Sequence, residues 1–137
     1  MILTFFYSFR GLNAQKKVID TYNSFARTNS NCNSAWCSET LSAIFIKAKA
    51  TSFIGGVAQD APTHVKHFKS LGIWKSGHEC TPHAGDIVIF QDTNGKPNYT
   101  EIVFFINVGR GTFTAISGNY LGNVGLRIRG IHDKKNS

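Results

Sequence analysis

Cys37 is the residue whose type and position most readily suggest chemistry. It opens a run in which Cys37, Leu41, Ile44, Phe45 and Ala48 recur at i, i+4, i+7, i+8 and i+11, which predicts a helix over roughly residues 35–50. A thiol in the first turn of a helix meets unsatisfied N–H groups and the positive end of the macrodipole. Both favour thiolate and hence a nucleophile. The plainer use of such a residue is as a small core hydrophobe. Cys32, Cys37 and Cys80 cannot all pair, so at least one thiol is free or intermolecular, and three cysteines are far too few for a disulfide framework.

Other residue sets compete with the thiol. His64 and His67, with His78, Cys80 and His83, are of zinc-ligand type, and i, i+3 histidines share a helix face. Two solvent-facing helix histidines beside a polar loop explain the same pattern more simply, and no metal or other cofactor is expected. A glycosidase would have to draw its two carboxylates from Glu39, Asp86 and Glu101, but Asp86 reads as a turn residue at the start of a strand. Gly109-Arg110-Gly111 reads as a hairpin turn and not a phosphate loop, because no helix follows it.

The elements that must position these groups follow from periodicity. Ala14, Val18, Tyr22, Phe25 and Ala26 mark an amphipathic helix ending near Arg27, and the polar stretch after it offers Asn33 or Ser34 as caps for the second helix. Asp60-Ala61-Pro62 opens a third helix carrying Val65, Phe68 and Leu71, which Gly72 ends. After Gly72 the texture changes to four short β-rich runs, Asp86 to Phe90, Glu101 to Val108, Thr112 to Ser117 and Val124 to Ile131. Helices first and a strand meander afterwards is an α+β order.

A length of 137 residues supports one domain, and a 42% hydrophobic fraction with 11 Phe excludes disorder and low-complexity arrays while predicting an aromatic core. The apolar run from Met1 to Phe9 is far short of the ~20 residues a spanning helix needs, so no membrane insertion is expected. It also lacks the flanks of a secretory signal peptide, which points to cytoplasmic synthesis. The formal charge of +7 suits a polyanionic partner, but no nucleic-acid module accompanies it.

Three strings carry a resemblance. They are Ala35-Trp36-Cys37-Ser38-Glu39-Thr40-Leu41, His64 through Trp74, and Thr81-Pro82-His83-Ala84-Gly85-Asp86-Ile87-Val88. With Glu101-Ile102-Val103, Ile116-Ser117-Gly118-Asn119-Tyr120 and Arg127 to Gly130 in the same order, they resemble the CHAP family. These are cysteine, histidine-dependent amidohydrolases/peptidases, papain-like cell-wall hydrolases found among phage lysins. The likeness covers about residues 14–131 of a single domain spanning 1–137.

The resemblance implies a papain-like fold, N-terminal helices on an antiparallel sheet of at least four strands, and a target in bacterial peptidoglycan or anionic cell wall reached after release. It places Cys37 at the nucleophile position. Where the family reads His, apolar, Gly, Ile, Val, this chain reads Tyr99-Thr100-Glu101-Ile102-Val103. The third catalytic position falls on Ser117, and Asn119 is kept. Trp36 and Glu101 are expected to line the substrate groove, with Tyr99 and Glu101 on the strand face toward Cys37. Two functions follow from this pattern: a cysteine amidase/endopeptidase, or a degenerate module that binds cell wall or a protein partner.

Overall fold

The computed structural model describes residues 2–27, 36–75, 81–120 and 123–130. A 3-10 segment, Ile2–Phe9, precedes helices α1 (Ala14–Ala26) and α2 (Cys37–Lys47), a 3-10 turn (Thr51–Ile54) and helix α3 (Ala61–Ser70). Strands β1 (Ile87–Gln91), β2 (Pro97–Asn107), β3 (Thr112–Tyr120) and β4 (Asn123–Gly130) then pair antiparallel in sequence order. The architecture is α+β, as the order of patterns predicts. Among the described residues, no helix is long and apolar enough to cross a membrane. The cap candidates Asn33 and Ser34, together with Cys32, His78, Cys80 and His132, lie outside the described residues.

Each helix buries a different share of its surface. α1 buries Ala14, Val18, Ile19 and Tyr22, whereas Phe25, expected on the same stripe, is 52% exposed on a last turn that the described elements leave uncovered. α2 buries every residue from Cys37 to Phe45, because it runs between α1 and the sheet. A helix buried all round must satisfy its polar groups internally. Ser42 Oγ donates to Ala58 C=O at 2.8 Å and accepts from Ala58 N–H at 3.0 Å, and Thr40 Oγ1 donates to Trp36 C=O at 2.9 Å. α3 starts where Asp60 accepts from Thr63 N–H at 2.8 Å, with Pro62 in the first turn, and stops at Leu71 and the left-handed Gly72. Leu71, expected as part of the helix, is its exposed C-terminal cap residue.

Strand alternation divides the core in two. Ile89, Ile102 and Ile116 face the helices and join Phe6, Phe9, Leu41, Ile44 and Phe68 in the larger cluster. Val88, Phe90, Val103, Phe113 and Ala115 point to the opposite face and form a second cluster, against which Tyr99 packs. Arg129 on the outer strand β4 lies 4.6 Å over the ring of Phe90 on the other outer strand. The long Arg129 side chain therefore reaches across the sheet face from one outer strand to the other, over the second cluster.

Candidate functional site

The thiol and the tyrosine that the resemblance pairs are carried on segments that touch. Cys37 is the first residue of α2, and its sulfur accepts from Thr100 N–H at 3.4 Å, while the thiol makes a long 4.0 Å contact to Asn98 C=O. The backbone on either side of Tyr99 thus closes over Cys37, which is 3% exposed and free of any disulfide. Next to it, Ser38 Oγ and Thr100 Oγ1 are 2.7 Å apart in a buried hydroxyl pair that ties the first turn of α2 to β2. Thr100 is a polar residue turned into the core, and the partner that makes its hydroxyl tolerable there is Ser38.

β3 completes the enclosure. Ser117 pairs with Glu101 across β2 and β3, is fully buried, and donates its hydroxyl to Gly118 C=O at 3.2 Å. A Cβ built on Gly118 would collide with Thr40 Oγ1 and lie 2.7 Å from Thr40 Cβ, so only glycine lets β3 pass this close to α2. Asn119 belongs to β3, and its side chain lies outside what is described.

The expectation that Tyr99 and Glu101 face Cys37 does not hold. The two share a face, but it is the one carrying Val88, Phe90 and Val103; the residues turned toward α2 are Thr100 and Ile102. Glu101 is instead paired with Arg129, whose Nε donates to Oε1 at 3.1 Å and whose Nη2 donates to Oε2 at 2.6 Å. Both carboxylate oxygens are thereby engaged. Trp36 and Glu101, expected along a groove, are 2% and 1% exposed and line no open surface.

Electrostatically the site works against thiolate. Burial pushes the Cys37 thiol above its ordinary value; N–H groups of Thr100, Ser38 and Cys37 pull it down, and the Glu101 charge adds a smaller upward push. The helix-start effect expected from sequence is present but is outweighed by desolvation. Among the described histidines none bonds the sulfur. His67 Nδ1 lies 3.2 Å from Gly56 C=O, His83 Nδ1 lies 3.8 Å from Asp86, and His64 has no hydrogen-bond partner at either ring nitrogen.

The competing residue sets separate. His64 is fully buried and not solvent-facing, and no group of three or more metal-ligating side chains forms among the described residues. Asp86 behaves as the turn residue its place suggested: its Oδ2 accepts from His83 N–H at 2.8 Å, and its C=O from Val103 N–H at 2.8 Å. Glu39 is buried on α2, Asp86 sits in an exposed turn and Glu101 is held by Arg129. The Glu101–Arg129 pair and the Ser38–Thr100 pair are not legible in the sequence, because the first depends on the register of the strands and the second on the packing of α2 against β2.

No family model matches the chain, and neither a curated protein nor a solved structure shows significant similarity to it. The fold and site define an α+β domain with a buried thiol at a helix start, closed over by the backbone of a sheet strand.

Proposed function

We propose that this chain is a papain-like domain of CHAP type that binds the bacterial cell wall without cleaving it. One observation carries the loss of cleavage: the Cys37 sulfur is 3% exposed and enclosed by Thr100 N–H and Asn98 C=O, the backbone flanking the tyrosine that stands in the family's histidine position. A buried thiol that no described histidine approaches is a weak nucleophile near neutrality. The +7 charge supports retention on an anionic wall polymer, an interaction that needs no turnover.

A second reading, an active cysteine amidase/endopeptidase, is favoured by the three backbone N–H groups that draw Cys37 toward thiolate. Such donors are also what a tetrahedral oxyanion requires. Wild type and Cys37→Ala incubated with purified peptidoglycan separate the two readings. The binding reading expects both proteins to sediment with the insoluble wall in a salt-sensitive way, with no new amino groups released by either. Release by wild type alone would establish the hydrolase instead, and failure of both proteins to sediment would remove the wall as partner.

A further inference from the structure

We propose that His64 is an acid-operated latch: protonating its buried ring detaches α3 from the face of the sheet it covers. The latch rests on where this imidazole sits. α3 buries Ala61, His64, Val65 and Phe68, a stripe at i, i+3, i+4 and i+7, so His64 takes a core position that a hydrophobe would fill without penalty. It is 0% exposed, and neither ring nitrogen has a hydrogen-bond partner. Its ring stacks on Phe68 at 5.8 Å with an interplanar angle of 13° and meets His67 edge-on at 6.2 Å. Among the described residues these two ring nitrogens are the fully buried side-chain polar atoms left without a partner, which makes the imidazole an exception that asks for an explanation.

A neutral ring can occupy this place; a protonated one would present two N–H donors and a charge to groups that accept neither. The titratable groups around it do not change that. On its own helix and cap, Asp60 favours the charged form but is exposed and already engaged by Thr63 N–H, while His67 opposes it. Of the elements packed on α3, the turn Thr51–Ile54 has no titratable side chain, and β2 turns Tyr99 and Glu101 to its other face. α2 brings Cys37 and Glu39, both buried, and Lys47, which is exposed. Burial dominates and holds the ring down to about 4 from 6.5.

The sign follows from linkage. Between pH 6.5 and about 4 the detached state takes up a proton that the docked state refuses, so docking weakens as pH falls. The shift reaches about 30-fold by pH 5 and about 300-fold at full protonation. α3 packs on β2, the strand that encloses the Cys37 sulfur, so the latch lies behind the thiol site.

Amide exchange across α3, corrected for intrinsic rates, and the NMR titration of the His64 ring test the latch. Wild type should lose about 20-fold protection in α3 between pH 7 and pH 5, His64→Leu should keep it, and the ring should titrate below pH 5. Equal loss in both proteins, or a ring that titrates near 6.5, overturns the proposal. The ring titration uses wild type alone and decides the matter even if His64→Leu does not fold.

Discussion

Replacing Gly118 by alanine probes the contact that sets α2 against the sheet. In an ordinary strand interior, glycine to alanine gains roughly 0.5–1 kcal/mol through lower chain entropy. Here the added methyl collides with Thr40 Oγ1 and lies 2.7 Å from Thr40 Cβ and 3.2 Å from Cγ2. Thr40 has nowhere to turn, since it is buried and its hydroxyl donates to Trp36 C=O at 2.9 Å. β3 must move off α2, an overpacking cost of about 1–3 kcal/mol, with a further ~1 kcal/mol if the hydroxyl bond is lost. Net of the entropy gain, Gly118→Ala should destabilise by about 1–3 kcal/mol in urea titration. Thr40→Gly removes all three colliding atoms, so the double variant should be more stable than the sum of the single changes by about 2 kcal/mol. A neutral or stabilising Gly118→Ala, or strict additivity, would refute the close approach.

The buried ion pair makes a second prediction. Glu101→Gln should cost about 3–5 kcal/mol because the guanidinium loses its carboxylate in a site where Glu101 is fully buried and Arg129 is 12% exposed. Replacing both with Leu and Met should recover most of that loss, and a single-variant cost below ~1 kcal/mol would mean the pair behaves as a surface bridge. Stability should also fall by up to roughly 3 kcal/mol as pH drops from 6.5 to about 4, read as the difference between wild type and His64→Leu melts. Across that window the His64 ring gains its proton in the unfolded chain from pH 6.5 downward but in the fold only near pH 4, so the penalty grows toward acid; parallel curves for the two proteins would contradict it.

What was legible in the sequence is what depends on near neighbours. Periodicity marks α1 and α2, Asp60 and Gly72 bracket α3, and Gly109 to Gly111 separates β2 from β3. Errors arise where distant contacts decide. Phe25 continues its stripe but runs past its covering elements, and His64 fills the stripe of α3 although its side chain looks polar. β2 begins at Pro97, four residues before the expected Glu101, because Pro97 and Asn98 read as loop formers until pairing with β1 holds them. At the site, sequence places Cys37 at the head of its helix. The sheet alone reveals that Thr100, and not Tyr99, turns toward α2, and that Arg129 takes up Glu101.

The central claim is that Cys37 is a buried, unprimed thiol. The rate of Cys37 alkylation by iodoacetamide against pH, followed at that residue by peptide mass spectrometry, tests it most directly. The account predicts slow reaction at neutral pH and a rate still rising beyond pH 9.0, the ordinary value that burial pushes the thiol above. A rate that reaches its plateau by about pH 7 would show an activated thiolate and contradict it.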